Sequence, residues 1–425
     1  MPEERRIPGS RFGRFARLAA VGVRSGASLL TDRGAGAAAE HAADVLGNLR
    51  GLAAKVGQMA SYVDGIVPEQ HAPAFEASLK ALRAQAPRSS ARAIRALVEE
   101  ELGAPVDALF TEWDDVPLAS ASIGQVHRAR LDDGRELAVK VQHPGIARAV
   151  ESDLANASLL ESFVGVLGGR RFDSRTMFEV LRTRFREELD YQREAESLRA
   201  FAALHAGDPT VLVPALVQSR SSARVLATEL ARGATFDEAC TAPEADRVAW
   251  AQTLWRFVFK GTLVGGMLNA DPHPGNYVFH DGGRVTFLDY GCIQPITRRR
   301  PLALRTHRAA LARDDEAFAR AVTTMLGAKP GPLADLAVRY TRECFSALFE
   351  SPYRMTRPFA AHLVDGMREM GALARKLPEE QVFTMPAEML FVNRLQFGFY
   401  SVLARLDVEV DYAAVERAFI DLAPP

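Results

Sequence analysis

The residues that decide the fold run from Asn269 to Gly291: NADPHPGNYVFHDGGRVTFLDYG. Asp271 and Asp289 stand near its two ends, with Asn276 between them. After Asp271 come Pro272, His273, Pro274 and Gly275, a segment without helix or strand periodicity. Two prolines and a glycine so close together predict an extended, turning loop. The short apolar run Tyr277 to Phe279, the turn His280-Asp281-Gly282-Gly283 and a second apolar run, Val285 to Leu288, predict a hairpin that leads into Asp289-Tyr290-Gly291. Such a hairpin brings three oxygen-bearing side chains to one side of a small rigid element. A hard divalent cation bound together with phosphates wants that arrangement, because few protein ligands leave positions for phosphate and water.

Working outward, the chain has 425 residues, enough for two or three domains or one large bilobal one. A hydrophobic content of 48% with 25% charged residues is that of an ordinary soluble globular protein. The formal charge of −1 excludes bulk nucleic-acid binding as an expectation. Cys240, Cys292 and Cys344 are scattered without metal-type spacing and predict a reducing compartment. Phe257 to Leu268 is interrupted by Lys260 and too short to span a bilayer, and the Arg-rich start lacks the apolar core of a signal peptide. The expected location is cytoplasmic. The first 33 residues carry seven arginines against three acids, with Phe12, Phe15, Ala16, Ala19 and Val23 on one helical side. That pattern admits two readings: a helix packed on its own domain, or one lying on an anionic membrane surface.

Residues from about Ala37 to Val63 are Ala-rich and helix-favouring. They contain Lys55-Val56-Gly57-Gln58, in which Lys55 and Gln58 share a helix face. Further helices are predicted over about Pro73 to Gln85 and Ser90 to Leu102, the second with serines at its N-cap. At Asp115 the texture changes. Small residues from Ala119 to Gly124 precede an alternating run, the turn Asp132-Asp133-Gly134 and a returning strand, Glu136 to Gln142, that carries Lys140. A small-residue loop lets the backbone approach phosphates closely, with one cation beneath it. Helical periodicity is predicted from about Ile146 to Leu204, with a break near Gly168-Gly169 and with Asp190 and Glu194 on one face. Strands follow at Val211 to Val217 and Arg224 to Glu229, then a hinge from Leu230 to Gly233 and a helix from about Pro243 to Leu268. Beyond Arg298 the chain reads helical, with breaks at Pro330, Pro352, Pro378 and Pro386.

Small-residue loop, strand lysine, helix glutamate, hinge, Asp-x4-Asn, hairpin and Asp-aromatic-Gly follow the order of parts in a protein kinase. More specifically, the chain resembles the UbiB (AarF-type, ADCK-like) family of atypical kinase-like proteins. The resemblance rests on Lys55-Val56-Gly57-Gln58, Ala119-Ser120-Ala121-Ser122, Glu188-Leu189-Asp190 with Glu194, and Asp271-Pro272-His273-Pro274-Gly275-Asn276. It implies an α+β, bilobal protein-kinase-like fold with a helical N-terminal extension (residues 1–110), a kinase-like N-lobe with inserted helices (111–232) and a mainly helical C-lobe (233–425). Two departures stand out: Ala-Ser-Ala-Ser where three alanines before the serine are commoner, and Asn269 where the family often has His.

By resemblance, the protein binds ATP or ADP with Mg2+ or Mn2+ and has ATPase or phosphoryl-transfer activity that supports isoprenoid-quinone metabolism. Asn276 and Asp289 are then the metal ligands, Lys140 oriented by Glu194 neutralises phosphate, and Asp271 orients the acceptor hydroxyl or water. Ala119, Ser120, Ala121, Ser122, Gly124, Val126 and Glu229, at the strand end before the hinge, complete the nucleotide contacts. Lys55 and Gln58 come from the extension, with Lys55 paired to Glu188 or Asp190 as a regulatory cover. A prenylated phenol or quinone lipid and a peripheral membrane surface are the implied partners. Two other readings remain: a nucleotide-gated lipid-binding scaffold with little turnover, and a small-molecule phosphotransferase of the aminoglycoside or choline type.

Overall fold

The computed structural model describes residues 89–120, 123–154, 183, 186–296, 298–378, 381–383 and 387–423. In chain order the elements are α1 (Ala91–Leu102), α2 (Val106–Leu109), β1 (Glu112–Trp113), β2 (Ala119–Ser120), β3 (Gly124–Arg130), β4 (Glu136–Gln142), α3 (Ile146–Leu154), α4 (Tyr191–Leu204), β5 (Val211–Leu212) and β6 (Val225–Glu229). Next come α5 (Phe236–Ala239), α6 (Glu244–Leu263), β7 (Met267–Asn269), β8 (Tyr277–His280), β9 (Arg284–Phe287) and β10 (Ile293–Pro295). The remainder is α7 (Arg300–Leu311), α8 (Asp315–Leu326), α9 (Pro332–Cys344), α10 (Ser346–Phe349), β11 (Tyr353–Arg354), α11 (Arg357–Lys376), α12 (Ala387–Leu406), β12 (Glu409–Val410) and α13 (Tyr412–Ile420). The mixture of helices and small sheets is α+β, as the sequence implies.

Two compact units emerge, one from Met1–Glu100, Asp115–His127 and Lys140–Phe185, the other from Glu101–Asp114, Arg128–Val139 and Arg186–Pro425. In the first, β2 turns back on β3 with Ala119 opposite Val126 and Ser120 opposite Gln125. Ser90 caps α1 as its position predicts, its hydroxyl accepting from the Ala93 amide at 3.3 Å. In the second, β1 pairs with β3, Glu112 opposite Arg130. Glu136, at the start of β4, accepts from Arg232 at 2.7 Å and from Arg128. These guanidinium bonds, Arg232's foremost, hold the Glu136 carboxyl below its ordinary range.

The second unit is built around α6. Trp250, Ala251, Leu254, Trp255, Phe257, Val258 and Leu263 are all buried, so this helix is apolar on most sides and packs against β7, β9 and α13. It ends five residues before the predicted Leu268. The apolar run Val264 to Leu268 hides a break, for Gly266 takes a left-handed φ of +63° and Met267–Asn269 becomes a strand. The β11–β12 pair, Tyr353 opposite Val410, also lies outside the all-helical expectation beyond Arg298. Each of its strands is two residues long, too short to show alternation. Among the described residues no helix is long and apolar enough to cross a membrane.

An aromatic cluster forms the floor under the Asp289 loop. Phe257 stacks on Phe287 with ring centroids 3.6 Å apart, and Phe201 of α4 meets Phe257 at 5.1 Å and Tyr290 at 5.5 Å. His205 stacks on Phe257, and both its ring nitrogens are buried without a hydrogen-bond partner. Burial first, then the Lys260 ammonium, pushes its pKa down from 6.5 to about 4. The folded protein therefore binds this proton less readily than the unfolded chain, and stability falls as pH drops from 6.5 toward 4. A depression of that size is worth roughly 3 kcal/mol at the acid end. His205→Phe is expected to flatten the denaturation free energy across that window. Chemical denaturation at stepped pH checks it, and an unchanged slope contradicts it.

Candidate functional site

Two short ladders bracket the loops that carry the candidate residues. On one side β8 pairs with β9, Tyr277 opposite Phe287 and His280 opposite Arg284. The turn between them rests on Gly282 and Gly283, both at φ +71°, as the glycine pair in the sequence demands. On the other side β7 pairs with β10, Asn269 opposite Ile293, and the Ala270 amide donates to the Cys292 carbonyl at 2.9 Å. The Asp271 loop leaves β7 and enters β8; the Asp289 loop leaves β9 and enters β10. Both are therefore held at both ends, and they meet. The Leu288 amide donates to the Asn276 carbonyl at 2.9 Å. Asn269, Asp271, Asn276, Leu288 and Asp289 surround one narrow crevice above Phe257 and Phe287.

Inside the crevice the orientation of each group is set by backbone bonds. Asp289 Oδ1 accepts from the Gly291 amide at 2.8 Å, an Asx turn that fixes the carboxylate. Asn276 Nδ2 donates to the Asp271 carbonyl at 3.2 Å and to Asp271 Oδ2 at 3.3 Å. Its Oδ1 is thereby turned away from Asp271. Pro274–Asn276 forms a single 3₁₀ turn within the extended, turning loop expected, with His273 Nδ1 accepting from the Gly275 amide. Asn269 ties both loops with one side chain: Nδ2 donates to the Asp289 carbonyl at 3.0 Å, and Oδ1 accepts from the Asp271 amide at 3.2 Å. Sequence reasoning marked Asn269 only as a departure from the family pattern. Its amide, donor and acceptor in one group, is what pins the two aspartates in register.

The donor set fits a divalent cation. Among the described residues no group of three or more His, Cys, Asp or Glu side chains converges as a closed metal cage. Asn276 Oδ1 and the Asp289 carboxylate instead offer two hard oxygens beside an open crevice. That suits an ion which keeps waters and takes phosphate oxygens as its remaining ligands. Tyr290 is 1% exposed and packs on Phe201, so the loop is anchored directly after Asp289. Burial, then the Asp289 carboxylate, holds the Tyr290 phenol well above its ordinary range.

Glu194 lies on α4 with 5% exposure, its carboxylate against Gly291: a Cβ added there would meet Glu194 Oε2 at 3.3 Å and Asp289 Oδ1 at 3.3 Å. A side chain at this position would press on the buried acid, which would have to give by a few tenths of an ångström. Asp190 does not share a helix face with Glu194. It is the N-cap of α4, accepting from the Gln192 amide at 3.0 Å, and Glu188 precedes it outside that helix. A helix-period reading cannot see the break, because Leu189-Asp190-Tyr191 keeps the apolar spacing while the Asp side chain closes off the helix start. Glu229 ends β6, half-exposed, 3.7 Å from Arg135.

In the first unit, Ala119 and Ser120 lie on β2, while Gly124 and Val126 lie on β3. Lys140 sits on β4, half-buried, between the buried Val139 and Val141. Gln125 is buried beneath the loop. Its Oε1 accepts from the Ser89 amide at 3.0 Å, so its Nε2 faces His127 Nε2 at 2.8 Å. That nitrogen must accept, which places the His127 ring proton on Nδ1. The Ser89 hydroxyl joins His143 Nδ1 at 2.9 Å. Nothing in the residue pattern singles out Gln125, yet it holds the strand that follows the small-residue loop. Ala121, Ser122, Lys55 and Gln58 lie outside the described residues.

The ABC1 atypical kinase-like domain matches residues 81–322. Rat mitochondrial atypical kinase COQ8B is 31% identical over 68% of this chain and 57% of its own length. The uncharacterized protein MT0675 of Mycobacterium tuberculosis (strain CDC 1551 / Oshkosh) is 31% identical over 80% of this chain and 70% of its own. The solved complex of Rv3197 with erythromycin, from Mycobacterium tuberculosis, superposes with a TM-score of 0.59 at 26% identity, covering 90% of this chain and 95% of that one. The chain thus spans little more than half of COQ8B. With more than half of its residues matched to that domain, the chain belongs to the ABC1 atypical kinase-like family, the UbiB/AarF type to which its motifs point.

Proposed function

We propose that this protein binds an adenine nucleotide, ATP or ADP, with Mg2+ or Mn2+, and works as an atypical ATPase or kinase. The observation that carries this reading is the pinning of Asp271, Asn276 and Asp289 around one crevice through Asn269 and the backbone. Phosphoryl transfer needs little covalent help from a protein; positioning and charge supply most of the rate. Asn276 and Asp289 would hold the divalent ion, which would supply the positive charge that neutralises the phosphates. Lys140 adds a cation to the phosphate oxygens, and Ala119, Ser120, Gly124 and Val126 supply the backbone that covers them. Asp271 orients the attacking hydroxyl or water and takes its proton as the bond to the γ-phosphorus forms and the bond to the leaving ADP oxygen breaks.

The family resemblance favours a role in isoprenoid-quinone or related lipid metabolism, with a prenylated phenol or quinone lipid as the partner molecule. The absence of a bilayer-spanning helix among the described residues is compatible with a cytoplasmic protein that touches a membrane only peripherally. The bilobal arrangement, the covering helical extension with Lys55 and Gln58, and the pairing of Lys55 with Glu188 or Asp190 belong to the same reading. Calorimetric titration with ATP, with and without magnesium, tests it. Magnesium-dependent binding is expected, weakened at least about tenfold in Asn276→Ala by loss of one ligand. No affinity for nucleotide under either condition contradicts it. Binding without any phosphate release favours the nucleotide-gated scaffold.

A further inference from the structure

A glycine stands in the interior of α12, where the missing side chain weakens a helix. Gly398 lies between Phe397 and Phe399, both buried. The three heavy atoms nearest to a Cβ added there all belong to Pro272: Cγ at 2.8 Å, Cδ at 3.7 Å and Cβ at 3.9 Å. The α12 backbone thus lies directly against the proline ring that follows Asp271. Ordinary contact begins at 3.4 Å, so an alanine here must move away from the 2.8 Å atom by about 0.6 Å. Gly398 also lies beyond residue 322, where the match to the kinase-like domain ends.

Neither side of this contact yields freely. The Tyr400 hydroxyl ties α12 to the Cys344 carbonyl at 2.7 Å, and Phe399 meets the rings of Trp255 and Phe259 at 6.2 and 6.3 Å. Pro272 is buried, and its ring contains the nitrogen of the planar Asp271–Pro272 peptide. Pushing the ring therefore tilts that peptide and the Asp271 carbonyl with it. That carbonyl accepts from the His273 amide at 2.8 Å and from Asn276 Nδ2 at 3.2 Å, and Asp271 Oδ2 takes the second Asn276 bond at 3.3 Å. A shift begun at Gly398 so reaches the carboxylate assigned to the nucleophile. Asp289 is fixed separately, by the Gly291 amide.

We propose that Gly398 is a positioning residue for phosphoryl transfer: lacking a side chain, it seats α12 against Pro272 and thereby sets where Asp271 stands. The role rests on the phosphoryl-transfer reading given above. Its test uses four full-length proteins: wild type, Gly398→Ala, Pro272→Ala and the double variant. Phosphate release from Mg-ATP, calorimetric affinity for Mg-ATP and the thermal midpoint are measured on each. Pro272→Ala removes Cγ and Cδ, so the nearest remaining atom stands at 3.9 Å from the new Cβ, an ordinary contact.

Gly398→Ala is expected to release phosphate at least about tenfold more slowly, because misplacing a reacting group by about 1 Å costs on the order of 100-fold. It binds Mg-ATP within about threefold of wild type, which separates a lost position from a lost ligand. Added to Pro272→Ala, the same substitution leaves turnover at the Pro272→Ala level and raises the thermal midpoint, the ordinary effect of alanine for glycine in a helix. Wild-type turnover in Gly398→Ala overturns the role, as does an equal fractional loss with and without Pro272. An equal midpoint rise in both backgrounds overturns the contact. If Gly398→Ala folds poorly, recovery of midpoint and turnover to the Pro272→Ala level in the double variant upholds the proposal, and no recovery overturns it. A wild type that releases no phosphate overturns instead the reading on which the role rests.

Discussion

Asp289→Asn is expected to lower phosphate release from Mg-ATP by at least about 100-fold, the cost typical of removing one charge that stabilises a phosphoryl-transfer transition state. The substitution is close to isosteric. Asp289 Oδ1 accepts from the Gly291 amide at 2.8 Å, and an asparagine carbonyl oxygen can take the same bond, so the turn into β10 survives. What disappears is the negative charge beside Asn276. The loss should therefore be in turnover and in magnesium affinity, with the thermal midpoint of the unliganded protein almost unchanged. Steady-state phosphate release across a magnesium series reads both. Wild-type activity at every magnesium concentration would remove Asp289 from the metal site.

The second large effect concerns stability. Glu416 of α13 is fully buried and accepts from Trp255 Nε1 at 3.2 Å and from His307 Nδ1 at 2.6 Å. It thus fastens the last helix to α6 and α7. Trp255 is 1% exposed and touches the rings of Phe259 and Tyr412 at 4.2 and 4.4 Å, so its indole N–H has no route to water. Glu416→Ala strands both donors and leaves a void where the side chain stood. About 3 kcal/mol of unfolding free energy is expected to be lost. Glu416→Gln keeps one acceptor and should lose about half of that. Urea denaturation followed by tryptophan emission measures the difference, and a loss below about 1 kcal/mol contradicts the role assigned to the carboxylate.

Much of the site was legible because its chemistry depends on residues close in sequence. Asp271, Asn276 and Asp289 flank a hairpin whose turn, Asp281-Gly282-Gly283, is itself a local signal, and the β8–β9 ladder forms where the pattern places strands, whereas the β7–β10 ladder was not foreseen. The strand lysine was legible for the same reason: Asp132-Asp133-Gly134 fixes the hairpin on which Lys140 sits. What escaped depends on hydrogen bonds that no residue pattern announces. Asn269 bridges two loops through its amide, and no pattern distinguishes a bridging asparagine from a solvated one. Glu416 meets His307 and Trp255 more than a hundred residues away. Asp190 was misplaced for a local reason. A capping aspartate inside an apolar rhythm looks like one more helical residue until its bond to the Gln192 amide is seen. The helix end at Leu263 failed because Gly265-Gly266 interrupts a run that is apolar on both sides.

Asp271 separates binding from chemistry, since it touches Asn276 but is assigned the proton and the nucleophile. Pre-steady-state phosphate release from Mg-ATP by wild type and by Asp271→Asn, with nucleotide affinity measured alongside by calorimetry, is the most direct test of a phosphoryl-transfer site. The expected result is an Asp271→Asn protein that binds Mg-ATP within about threefold of wild type and releases phosphate at least about 100-fold more slowly. Equal release from the two proteins would contradict it.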